Sequence, residues 1–174
     1  SADPRLKNSV IQRFGEIENW DVSRVTDMGG LFNVFVNTSI DPRHFNPPLN
    51  NWNVSRVTNM SCMFLGARSF NQPLNNWDVS NVTDMELMFA GAESFNQPLN
   101  KWKVSKVYSM SGMFQGATSF NQPLNNWDVS NVTDMRYMFR DAHSFNQPLN
   151  KWNVSKVKNM AGMFALARSF NQPL

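Results

Sequence analysis

The sequence predicts an α/β repeat: a solenoid with one short strand and one short helix per 25-residue coil, closed by an N-terminal capping helix. Three observations predict it. Ser69–Met85 reads SFNQPLNNWDVSNVTDM, Ser119–Met135 repeats it letter for letter, and a variant, SFNQPLNKWKVSKVYSM, stands midway at Ser94–Met110. Trp52, Trp77, Trp102, Trp127 and Trp152 recur every 25 residues, and Phe45, Phe70, Phe95, Phe120, Phe145 and Phe170 keep the same step. Aromatic residues make up 13% of the 174 and hydrophobic residues 41%, which separates this Asn- and Ser-rich chain from a disordered one. A fixed period of this length marks units that bury their apolar face only against their neighbours.

Residues 1–19 are expected to form the cap. Asp3-Pro4 suits a helix start, Leu6, Val10, Ile11 and Phe14 share one helical face, and Gly15 ends the run. The solenoid is then expected over 20–174, opening with a degenerate copy, Trp20 to Met28. Trp20 and Trp52 are 32 residues apart, and the surplus falls in an insertion at 33–44, NVFVNTSIDPRH. Its Val34, Phe35, Val36 and Ile40 fit either a flap sealing the first coil or a recognition loop. The array stops at Phe170-Asn171-Gln172-Pro173-Leu174, in mid-repeat and without a C-terminal cap. That predicts either that the natural chain continues or that a partner covers the edge, with self-association through the open coil as one outcome.

Within a coil, Trp77-Asp78-Val79 alternates in the manner of a short strand. Thr83-x-x-Glu86 resembles a helix-opening capping box. Met85, Met88, Phe89 and Ala92 then fall on one helical stripe, with Gly66, Gly91 and Gly116 as helix exits. The Phe-Asn-Gln-Pro-Leu return is aperiodic and its proline forbids regular pairing. About nine residues of each coil are expected to point inward: Trp, two Val, two Met, two Phe, Ala and Leu. The Met and aromatic stripe therefore reads as core and not as a cofactor pocket. Asn46, Asn71, Asn96, Asn121, Asn146 and Asn171 hold one column throughout, the pattern of a stacked asparagine ladder.

No catalytic constellation is present: His44 and His143 stand alone, and no phosphate loop, zinc-protease motif or nucleophile elbow occurs. The single cysteine, Cys62, rules out an internal disulfide. The chain is thus expected to be no enzyme and to need no cofactor or metal. A net charge of +3 without a lysine and arginine stripe argues against nucleic acid, and no apolar run is long enough for a membrane span. Charge instead alternates: Asp78, Asp84, Asp128 and Asp134 mark two coils, and Lys101, Lys103, Lys106, Lys151, Lys156 and Lys158 the coils between and after them. This either keeps like charges from becoming neighbours or forms a binding stripe. The candidate partner-binding residues are those that vary on the expected surface: Phe35, Arg43, Arg56, Asp78, Lys103, Lys106, Asp128 and Lys156.

The motif WDVSNVTDMxxMFxGAxSFNQPLNxW, running from Trp20 to Leu174, resembles the BspA-type leucine-rich-repeat surface proteins of bacteria. The flank Leu6–Phe32 is similar to the N-terminal flank of that family. The resemblance implies a leucine-rich-repeat-like solenoid, displayed extracellularly on a lipoprotein or wall-sorting anchor, that binds a protein or glycan on another cell or surface. Neither anchor is read in these residues, and the abrupt opening at Ser1-Ala2-Asp3 is what is expected of a processed or trimmed chain. A non-enzymatic adhesion scaffold is thus the first expectation, and a structural surface or capsid component acting by self-assembly the alternative.

Overall fold

The computed structural model describes residues 12–13, 15–38 and 40–173. The capping helix expected within residues 1–19 falls outside the described residues but for Gln12 and Arg13; what is described next is a single 3-10 turn, Ile17–Asn19. From there the 25-residue units stack as coils. Corresponding phenylalanine rings of successive coils, Phe64, Phe89, Phe114, Phe139 and Phe164, stand 5.5–5.7 Å apart.

The strand and helix expected in each coil do not form, so the chain is not an α/β solenoid and has no sheet among the described residues. Extended pairing is reduced to one parallel bridge per junction: Asp27 to Asn59, Asn59 to Asp84, Asp84 to Ser109, Ser109 to Asp134 and Asp134 to Asn159. The expected strand at Trp77-Asp78-Val79 is lost because turns flank it. The Trp77 amide donates to the Leu74 carbonyl and the Val82 amide to Val79, and the bridges of this coil are made at Asp84.

The expected helix is replaced by a staircase of β-turns. In the coil of Met60, the amides of Met63, Leu65 and Ala67 donate three residues back, to Met60, Cys62 and Phe64. The intervening amides of Met60, Cys62, Phe64 and Gly66 donate across to Asp84, Glu86, Met88 and Ala90 of the next coil. Three of the segment's amides therefore close turns and four tie coils together, and Ser61 N goes to Asn59 Oδ1, which leaves none for a helical ladder. Two turns need a left-handed third residue, the geometry of a type II turn. Cys62 (φ 56°) and Gly66 (φ 75°) supply it here, as do Leu87 and Gly91, Gly112 and Gly116, Tyr137 and Asp141, and Gly162 and Leu166 in later coils. Left-handed residues four apart are incompatible with an α-helix. The opening residue helps to select the turns: Asn59, Asp84, Asp134 and Asn159 each accept the amide two residues on through Oδ1. Such Asx bonds offer the backbone an alternative to the helix.

The inward set is the one expected. Trp77, Val79, Val82, Met85, Met88, Phe89, Ala92, Phe95 and Leu99 are all buried. Phe64 stacks on Phe70 with centroids 4.1 Å apart, and the same pair recurs as Phe89–Phe95, Phe114–Phe120, Phe139–Phe145 and Phe164–Phe170. Each buried indole also finds an acceptor in the preceding coil: Trp77 Nε1 donates to Leu49 O, Trp102 to Leu74 O and Trp127 to Leu99 O, at 2.9–3.0 Å. In the last coil Val154, Met160 and Leu166 are exposed.

Candidate functional site

The asparagine column binds coil to coil on the return stretch. Asn71 Oδ1 accepts the Asn96 amide at 3.0 Å and the Gln97 side-chain amide at 3.1 Å, and the pattern continues through Asn121, Asn146 and Asn171. At the N-terminal end Asn46 Oδ1 takes the Asn71 amide at 2.8 Å. These groups satisfy one another, so the column is scaffold.

Two further columns leave the scaffold through the turn that follows each tryptophan. One runs Asp21, Asn53, Asp78, Lys103, Asp128, Asn153. Its Asp and Asn members accept the amide of the serine two residues on, Asp78 from Ser80 and Asp128 from Ser130 at 3.1 Å. The serine hydroxyl and then the serine amide hold both carboxyls below the ordinary aspartate range, with Lys103 beside Asp78 and Lys156 beside Asp128 contributing least. Asp78 and Asp128 are therefore engaged in building turns. Lys103 occupies the one position of that column with no acceptor to offer.

The other column runs Arg24, Arg56, Asn81, Lys106, Asn131, Lys156. Asn81 donates through Nδ2 to Ser55 O at 2.9 Å and accepts Lys106 Nζ on Oδ1 at 2.7 Å. Asn131 does the same with Ser105 O (2.8 Å) and Lys156 Nζ (2.6 Å). A neutral amide anchored to the backbone thus orients each ammonium without neutralising it. Next to this column, Thr58 Oγ1 donates to Thr26 O at 3.2 Å and Thr83 Oγ1 to Thr58 O at 3.1 Å. Their protons are engaged in the scaffold, and their lone pairs are what remains to face outward.

Arg24, Thr26, Arg56, Thr58, Asn81, Thr83 and Lys106 together line an open groove of about 640 Å³ across four coils. Three cations and no carboxylate are among these residues. Asp21 belongs to the neighbouring column, its carboxyl held low first by the Ser23 hydroxyl and least by Arg24. Tyr108 interrupts the threonine row beyond Thr83, half-exposed, with its hydroxyl 3.3 Å from Asp84 Oδ2. The charge of Asp84 and partial burial push its phenol upward.

Of the candidate residues, Arg56 and Lys106 share the groove lining and Lys156 continues their column, while Lys103 stands beside Asp78 and Lys156 beside Asp128. Phe35 and Arg43 lie apart on the insertion. The Phe35 ring and Val34 cover Gly66, and Phe35 and Val36 remain 73% exposed. Arg43 makes two 3.2 Å contacts to Asp41, whose Oδ2 also meets His44 Nδ1 at 2.9 Å. The loop is pinned to the second coil where Pro42 O accepts the Ser69 amide and Arg43 O the Ser69 hydroxyl. Arg24 and the threonines Thr26, Thr58 and Thr83 were not among the candidates. Arg24 occupies the Arg56 position of the degenerate first copy, and that alignment is the signal for it.

Among the described residues no three His, Cys, Asp or Glu side chains gather as a metal site would require, and no helix is long and apolar enough to cross a membrane. The fold and the groove define a repeat protein whose coils share a core and differ along one face. The chain belongs to the family described as Mycoplasma protein of unknown function, DUF285, which matches it over residues 6–117 and 98–174. No curated protein and no solved structure matches it.

Proposed function

We propose that this chain is a non-enzymatic, surface-displayed repeat scaffold that binds a protein or glycan partner through its groove-bearing face. One observation carries the reading: the apolar side chains that recur from coil to coil face inward, while the part of the variable column from Arg24 to Lys106 lines one groove. Solenoid-type proteins recognise partners across several neighbouring repeats, and a groove spanning four coils is of that kind. The resemblance to BspA-type surface repeats supports extracellular display and an adhesion role.

The test is capture of extracellular proteins and glycans by the immobilised chain, beside an Arg56→Asn/Lys106→Asn variant and a Phe35→Asp variant. Capture lost only with the groove substitutions is the expected result. Capture lost only with Phe35→Asp would move the site to the insertion. Concentration-dependent polymer in light scattering, with nothing captured, would replace this reading by structural self-assembly.

A further inference from the structure

We infer that the ligand of the groove is an acidic polysaccharide, a linear chain carrying both anionic groups and free hydroxyls; this rests on the binding reading above. The first argument is charge. Arg24, Arg56 and Lys106 contribute three cations to the groove lining, without a carboxylate among the seven residues named for it. Lys106 Nζ is held on Asn81 Oδ1, which itself accepts no second charge, so its position is set before a ligand arrives. Such preorganised cations favour anions more than mobile surface lysines do.

The second argument concerns hydrogen-bond sense. Thr58 and Thr83 donate their hydroxyl protons to the coil before them, so beside the cations they present acceptors. A ligand made only of anionic oxygens would meet repulsive lone pairs there, whereas one with interspersed hydroxyl donors satisfies both. The third argument is spacing. The Phe64, Phe89 and Phe114 rings stand 5.5 and 5.7 Å apart from coil to coil, and Arg56 and Lys106 are two coils apart with neutral Asn81 between them. Lys156, held by Asn131, repeats the interval. Anionic groups recurring along an extended, regular polymer fit such a row, whereas a compact anion would use only one step of it. The residues lining the groove include no aromatic side chain, so base stacking, the usual grip on single-stranded nucleic acid, has no platform there.

The experiment measures binding of the intact chain to a heparin oligosaccharide, with neutral dextran, polyglutamate and single-stranded DNA as competitors. Arg56→Asn and Lys106→Asn are suitable probes because Asn81 and Asn131 already occupy that column, so the coil keeps a residue it accommodates. The double variant is expected to lose about tenfold or more in affinity at 0.15 M salt, and to show a salt dependence shallower by about one unit of slope per cation removed. Thr58→Val is expected to weaken the oligosaccharide severalfold at unchanged salt slope, a result that charge alone would not produce. Lys151→Asn, outside the groove, is expected to change nothing. Equal binding by wild type and double variant overturns the assignment, as does polyglutamate or DNA competing as well as the oligosaccharide. A protein ligand lost with the groove variant, with no glycan bound, would overturn the polysaccharide while leaving the scaffold reading intact. No ligand of any class would overturn both.

Discussion

Replacing Gly112 by Ala separates the turn staircase from the helix that the apolar spacing suggests, because Gly112 would lie inside that helix and the two predict opposite signs; Gly116, the expected helix exit, measures the left-handed cost alone. In a helix, Gly→Ala stabilises by about 0.8–1.0 kcal/mol. Here Gly116 has φ 67°, and an added Cβ would meet nothing nearer than Gly91 N at 3.7 Å, an ordinary contact. Sterics across coils therefore contribute little, and the left-handed backbone penalty of roughly 1–2 kcal/mol remains. Part of it is offset because Ala also restricts the unfolded chain, which leaves a net loss of about 1 kcal/mol. Gly112 has φ 58°, but its Cβ would meet Leu87 Cδ2 at 2.5 Å, so Gly112→Ala adds an overpacking cost of about 1–3 kcal/mol. Leu87→Gly in the same chain should relieve that second cost and not the first. Urea unfolding of the intact chain reads both, as a fall in midpoint at unchanged slope. In thermal unfolding each kcal/mol corresponds to about 2–4 °C for a chain of this size. A Gly112→Ala variant with a raised midpoint would refute the staircase.

Asn121→Ala should cost about 1–3 kcal/mol, measured by the same unfolding assay, because the half-buried Asn146 amide loses its acceptor. Trp102→Phe should cost about 1 kcal/mol, since the Leu74 carbonyl keeps the Trp77 amide but loses its second donor, and contact area with Trp127 is lost; Trp20→Phe, whose indole bonds Gly15 O at an exposed site, should cost less. Asp78 and Asp128 titrate below the ordinary aspartate range, so the stability they contribute is full above about pH 4 and is lost as pH falls through their lowered values. Asp78→Asn with Asp128→Asn should keep both turns, as Asn53 and Asn153 do, and flatten the acid limb of the stability profile.

The period and the identity of the core were legible in the sequence, because both follow from residues that recur every 25 positions. Trp, Val, Met, Phe, Ala and Leu columns must face inward whatever backbone carries them. The backbone itself was not legible in this way. Met85, Met88, Phe89 and Ala92 fit a helical stripe, yet a staircase of turns turns the same four residues inward, so apolar spacing could not choose between them. The glycines at 30, 112 and 162 and the Asn or Asp at 59, 84, 134 and 159 were the available signals, obscured because Leu87 and Tyr137 occupy the same left-handed position. Tertiary structure decided the matter: amides that a lone helix would use internally are claimed by carbonyls of the next coil, and that pairing exists only once the coils are stacked. The groove has the same origin. Arg24, Arg56 and Lys106 are as many as 82 residues apart, and only the stacking of coils makes them neighbours in one cationic row.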